Sequence, residues 1–181
     1  MEQLERVIEK FLLNRTLTDI EFYNINPYYF SPDPDKTWII NGGIELTFDD
    51  DNFSFGWNEK KEFFEAIPGS FDALMTDLTF ESLGAQNVRG LQDLIGKSVS
   101  NLKFKWNFYQ EYDEDFKLKE EKKYMPFEII IEFNDGNFLQ ISAVDCEIYT
   151  DKIGEIIYDS QAQLLISLNE RFEISLPDNN E

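Results

Sequence analysis

The chain contains no histidine, and this absence removes more chemistry than any other feature of its 181 residues. Without an imidazole there is no Ser-His-Asp or Cys-His nucleophile system, no His-based metal site, and no use of the commonest general base. One cysteine, Cys146, rules out an intramolecular disulfide and leaves nothing that needs an oxidising compartment. It lies between Asp145 and Glu147, whose charges raise a thiol pKa, so an inert thiol is expected. No apolar run approaches the roughly 18 residues of a membrane span. The first fifteen residues lack the basic and continuous apolar regions of a signal peptide. The expectation is a cytoplasmic protein that does not bind membranes. Cations are scarce too, with 16 Lys and Arg against 36 Asp and Glu, for a net charge of −20. Such a surplus repels nucleic acid and anionic lipid, whose binding depends on neutralising phosphate. It favours a basic protein partner and fast, salt-sensitive association.

What is abundant is aromatic. Phe alone occurs 17 times, aromatics make up 15% and hydrophobic residues 42%, which sets the chain apart from a disordered acidic tail. A single domain over residues 1–181 is expected, burying roughly 70% of the surface of its unfolded chain.

Leu4, Val7, Ile8, Phe11 and Leu12 recur at helical spacing, with Glu2 and Glu5 early and Lys10 and Arg15 late, so the chain opens on an amphipathic helix ending near Asn14. Beyond it, alternation of period two dominates. A strand is expected at 20–25, followed by a loop at 31–36 whose prolines exclude a central strand. Ile44, Leu46 and Phe48 share a face that Phe53, Phe55 and Trp57 continue after a turn. Leu102, Phe104, Trp106 and Phe108 alternate with polar residues, as do Ile129, Ile131 and Phe133, then Leu139, Ile141 and Ala143. Leu164–Leu168 and Phe172–Leu176 read as closing strands. One or two short helices are expected within 58–96, one from Ser70 carrying Phe71, Leu74, Met75 and Leu78, another over 91–95. The class is α+β: a predominantly antiparallel sheet, strongly curved or barrel-like, with an N-terminal helix.

Two turns invite comparison. For Ile129, Ile131 and Phe133 to share a face with Leu139 and Ile141, paired residue numbers must sum to an even number, which requires an odd loop. Asn134-Asp135-Gly136 supplies three residues, with Gly136 in the left-handed position. Between Phe48 and Phe53 the sum is odd and the loop even, so a four-residue turn over Asp49–Asn52 is expected. Asp49, Asp50 and Asp51 are better turn formers than calcium ligands, which are spaced at alternate positions around a glycine.

No metal, cofactor or catalytic residue emerges. Gly96-Lys97-Ser98 lacks the glycine five positions upstream that a phosphate-binding loop needs, since Leu91 stands there. With 36 acids, a carboxylate pair for hydrolysis is always available and therefore uninformative. Trp57 and Trp106 fall in phase with the apolar alternation and read as core. Tyr112, beside Asp113, Glu114 and Asp115 in the charged segment 111–123, reads as an interface anchor.

Gly43-Ile44-Glu45-Leu46-Thr47-Phe48-Asp49, then Phe53, Phe55, Gly56 and Trp57, then Leu94-Ile95-Gly96-Lys97, then Ile131-Glu132-Phe133-Asn134-Asp135-Gly136 form a pattern over residues 43–145. This pattern resembles the small immunity proteins of bacterial toxin systems. The resemblance implies a cytosolic, non-enzymatic inhibitor that occludes a cognate toxin, often a basic nuclease. The resemblance carries over no functional residue; the net charge of −20 is what singles out the acidic loops 49–52 and 111–115. Asp49, Asp50, Asp51, Tyr112, Asp113, Glu114 and Asp115 are therefore expected to contact the basic toxin domain, the acids mimicking phosphate in its active site. The alternatives are a small-molecule-binding β-barrel with an interior pocket lined by Trp and Phe and, below it, a carboxylate-dependent hydrolase with two inward acids of unequal pKa.

Overall fold

The computed structural model describes residues 2–25, 30–33, 35–77, 79–84, 90–109, 117, 123–148 and 153–176. The chain opens on helix α1 (Glu2–Leu12), as its periodicity requires. Ile8 and Leu12 are fully buried and Leu4 and Phe11 pack partly against the core, but Val7, on the flank of the stripe, is exposed.

The described residues then form two antiparallel sheets. The five-stranded sheet holds β1 (Leu17–Asn24), β4 (Gly42–Phe48), β5 (Asp51–Asn58), β6 (Phe63–Pro68) and β7 (Glu81–Gly84), in the order β6-β5-β4-β1-β7. The seven-stranded sheet holds β2 (Phe30–Asp33), β3 (Thr37–Ile40), β8 (Val99–Tyr109), β9 (Lys123–Phe133), β10 (Phe138–Ile148), β11 (Ile153–Tyr158) and β12 (Gln163–Leu168). Its order is β2-β3-β12-β10-β9-β8. Val144 pairs with both Gln163 and Tyr158, so β11 lies on the edge of β10 opposite β12.

The sheets stay open. Among the described strands neither sheet closes on itself, so the barrel-like closure expected from the sequence is not seen. The reason lies at Asn41, where the chain leaves the sheet in which β3 pairs with β12 and enters the one in which β4 pairs with β1. Each sheet is apolar on one face, and the two faces meet in a single contiguous cluster. Ile20, Phe22, Ile44, Leu46, Phe48, Phe53 and Phe55 come from one side; Ile129, Ile131, Phe133, Leu139, Ile141, Leu164 and Ile166 come from the other. Helix α1 touches both β6 and β8, edge strands of different sheets, and so covers the seam between the layers. Pro32 sits in β2, an edge strand, where a missing N–H costs no ladder bond.

Both parity arguments hold. Leu139 pairs with Ile131 and Phe138 with Glu132, around Asn134-Asp135-Gly136, with Gly136 at φ +89°. In the earlier hairpin Leu46 pairs with Phe53 and Phe48 with Asp51, so the sum is odd as expected. The loop is tighter than expected, however: Asp49 and Asp50 alone make the turn, with Asp49 at φ +54°.

Other expectations are refined or corrected. The helix from Ser70 reduces to one 3-10 turn, Phe71–Ala73, because Ser70 makes no capping bond and Phe71 turns inward on a trough described below. A second such turn, Leu91–Leu94, stands where a short helix was expected and plugs the core with both leucines. Phe172–Leu176 is not a ladder strand: its backbone pairing with the sheet is one isolated parallel bridge, Ser175 to Ile157, and Leu176 is exposed. Trp106 is half-buried rather than core, because a register shift between Lys105 and Trp106 breaks the alternation.

On the outer side of the five-stranded sheet, Gly43 and Gly56 are cross-strand partners, and the Phe71 ring lies over both. A Cβ at either glycine would stand 2.4 Å from Phe71 Cε2. The paired glycines form a trough, and Phe71 stacks there on Tyr23, with ring centroids 4.4 Å apart. Gly56→Ala should therefore lower stability by about 1–3 kcal/mol in urea denaturation, the usual cost of overpacking. In combination with Phe71→Ala, which removes the clashing ring, the loss should fall well short of the sum of the two single losses.

Candidate functional site

Of the acidic residues singled out in the sequence, Asp49, Asp50 and Asp51 are described, while Tyr112, Asp113, Glu114 and Asp115 lie outside the described residues. The 49–51 tip is not a free anionic cluster. Arg15, just past the end of α1, donates from Nε to Asp49 Oδ2 (3.1 Å), from Nη1 to Asp51 Oδ2 (2.9 Å) and from Nη2 to the Phe48 carbonyl (2.7 Å). Its guanidinium also lies over the Phe11 ring, 5.3 Å from the centroid. Asp49 and Asp51 thus spend their charge on tying the helix exit to the hairpin, and Asp50 is the member of the trio with no ion pair among the described residues.

Two carboxylates on the outer sheet faces are buried, and each is held by donors. Glu45, 7% exposed, faces Glu21 directly across the β1–β4 pair. Its Oε2 accepts the Phe71 N–H at 2.5 Å and the Ser54 hydroxyl at 3.4 Å, and its Oε1 accepts Asn52 Nδ2 at 3.0 Å. Glu21 in turn accepts the Tyr23 hydroxyl at 2.7 Å and the Ser82 hydroxyl. Burial pushes the Glu45 carboxyl up; bonds from Phe71 and Ser54 pull it partly back, and Glu21 and Asp72 push it up further. Glu59 holds the next part of the same segment, its Oε2 accepting the Thr76 N–H (2.6 Å) and hydroxyl (2.8 Å) and the Asp77 N–H (2.9 Å). Residues 70–77 therefore form a strap across the sheet, seated by Phe71 and fixed at both ends by carboxylates.

The seven-stranded sheet repeats the device. Glu128, 1% exposed, meets Lys105 Nζ at 3.2 Å and accepts Gln140 Nε2 at 2.7 Å. The Gln140 amide also acts like a peptide group toward the C-terminal segment: it accepts the Phe172 N–H and donates to the Phe172 carbonyl, both at 2.9 Å. Nearby, Lys103 and then Asn101 hold the Glu132 carboxyl below its ordinary range. On this face Lys105 and Lys103 pair with Glu128 and Glu132, whereas on the other Glu21, Glu45 and Asp72 lie close to one another.

At one end of the sandwich, beside the crossing at Asn41, lies a pocket of about 190 Å³. Among the described residues it is lined by Ile25, Asn41, Trp57, Phe64, Gln161 and Ala162. Trp57, expected in the core, is half-buried here because the sandwich ends, its ring edge-on to Phe64 at 5.6 Å. The volume suits one side chain, below the roughly 300 Å³ at which small-molecule sites begin.

Cys146 donates to Gln163 Oε1 at 3.3 Å, and burial, aided by Asp145, pushes its thiol up to about 11. It is a poor nucleophile at neutral pH, as its neighbours imply. Among the described residues no group of acids or thiols is arranged to hold a metal ion, and no helix is long and apolar enough to cross a membrane. The strap, the glycine trough and the two carboxylate anchors were all missed in the sequence. The one signal for them is that Gly43 and Gly56 come into register once the 49–50 turn is fixed.

Glu45 makes stability depend on pH in a defined direction. A carboxyl raised by folding binds its proton more tightly in the native state. Its contribution is therefore fully present below the ordinary value of 4.5 and is lost as pH rises through the raised one. Glu45→Gln removes this dependence. The stability of the wild type relative to the variant, read from urea midpoints, should fall as pH rises above the ordinary carboxyl value of 4.5; a difference that does not vary with pH would contradict the assignment.

Compared with protein-family models, with curated proteins and with solved structures, the chain gives no match in any of the three.

Proposed function

We propose that the protein is a non-catalytic binding protein of the immunity type, which occludes a basic partner, a toxin domain, with an acidic surface and acts in the cytoplasm. The observation that carries this reading is the uneven distribution of charge over the two outer faces. On the seven-stranded sheet Lys103 and Lys105 answer Glu132 and Glu128. The stretch 59–81, which supplies β6 and the strap, holds six acids against Lys60 and Lys61. Of these acids Glu62, Asp72, Asp77 and Glu81 are exposed, and Glu65 is paired with Lys61. Half-buried Trp57, Ile67 and Phe80 border that acidic region, and apolar anchors beside charge are the composition of a protein-binding surface. In this reading Asp50, Tyr112, Asp113, Glu114 and Asp115 also contact the partner, and the charge of the acids raises the association rate.

The buried carboxylates support binding over catalysis. Glu45 and Glu128 face peptide and side-chain donors that they must satisfy, and neither lines the pocket beside Asn41.

The test is capture from a native lysate at low salt with the full chain as bait, followed by assay of what is bound. A basic protein that elutes as salt rises, and whose own activity the chain inhibits at one-to-one stoichiometry, is the expected result. The combined substitution Asp113→Lys, Glu114→Lys and Asp115→Lys should slow association about tenfold at low salt and much less at high salt. A captured protein whose activity is untouched, or binding indifferent to salt, defeats the reading.

A further inference from the structure

The geometry points to the pocket at the end of the sandwich as a receptor for a single arginine side chain presented by a basic protein. This deepens the binding reading above and rests on it for the source of the arginine. Three observations converge on that occupant.

The first is size and shape. About 190 Å³ accommodates one long side chain, and the walls formed by Ile25, Trp57, Phe64 and Ala162 match an apolar stem. Half-buried Trp57 is part of the lining, and indole is the strongest of the aromatic partners for a guanidinium.

The second is the polar lining. Asn41 uses its backbone N–H on Asn24 Oδ1 and its carbonyl on Ile25, while its side-chain amide has no partner among the described residues. Gln161 commits Nε2 to the Glu62 carbonyl at 3.0 Å, which leaves Oε1 as an acceptor. Two amide oxygens at the wall of an aromatic pocket suit a donor-rich group that has no acceptor of its own, and guanidinium is that group.

The third is charge. The turn that carries Gln161 also carries Asp159, whose Oδ1 accepts the Gln161 N–H at 2.7 Å, and Gln161 Nε2 donates to the backbone carbonyl of Glu62. Both acids flank the lining on a chain of net charge −20, so the field at the pocket favours a cation over a neutral side chain.

The experiment is NMR titration of the full chain with N-acetyl-arginine methylamide, and with its citrulline and norleucine counterparts. The Trp57 indole N–H and the side-chain amides of Asn41 and Gln161 are followed, with Trp38 and Trp106 as internal references. The arginine compound should shift those three groups, bind about fivefold more tightly than citrulline, and lose most of that preference in Gln161→Leu. Equal binding of citrulline or norleucine, shifts confined to other residues, or no shift with any of the three compounds overturns the proposal. Failure here with a basic partner captured from lysate would remove the pocket and leave the binding reading standing. Arginine binding without any such partner would do the reverse.

Discussion

Two sheets that are each apolar on a single face can remove those faces from water together only by stacking, and the rest of the molecule follows from that stacking. The inner surfaces merge into one cluster in which the largest fully buried side chains are phenylalanines from both layers. Once the layers meet, three sites need covering: the seam between edge strands β6 and β8, the end near Leu91 and Leu94, and the polar outer surfaces wherever chain must cross them. Helix α1 takes the first, the 3-10 turn takes the second, and the strap and the C-terminal segment cross the third.

Crossing a sheet has a specific cost. A connecting segment laid on an outer face buries backbone N–H and carbonyl groups that no strand can pair, and each one left unmet costs about 1–3 kcal/mol. Glu45 and Gln140 meet that demand, one for Phe71 and the other for Phe172. A carboxylate suits the strap because Oε2 alone accepts two donors, and its raised pKa is the consequence of being enclosed with Glu21 and Asp72 nearby. In isolation a buried acid of raised pKa suggests catalysis. Here the donors surrounding it account for it as an anchor. Glu128 differs in having Lys105 as a counter-charge, which is why the two outer faces, built alike, differ in electrostatic character.

Much of this was legible where geometry is local. Parity fixed the register of the later hairpin and, in the earlier one, which side chains share a face but not the length of the turn. A side chain that must point inward constrains its pairing only to every second position. The helix and most strands follow from spacing alone. The strap could not be read, because its helical spacing of Phe71, Leu74 and Met75 is overridden by a tertiary fit between one ring and two glycines distant in sequence. Nor could the partnership of Arg15 with Asp49 and Asp51, which turned an apparent acidic patch into an internal tie. Trp106 misled for a different reason: a bulge adds a residue without leaving any mark in the alternation. The pocket by Asn41 depends on where the sandwich stops, a property of the whole assembly.

Strand β8 runs for eleven residues at the margin of its sheet, and among the described strands it has a neighbour on one side alone. Length of that kind ordinarily recruits further copies. This edge carries two irregularities that twist it, near Val99 and at Trp106, and two lysines, Lys103 and Lys105, which a second copy would have to bring into register with its own. The scarce positive charge of an acidic chain is thus placed where it hinders fibrous self-assembly, allowing so long an edge to remain open to water.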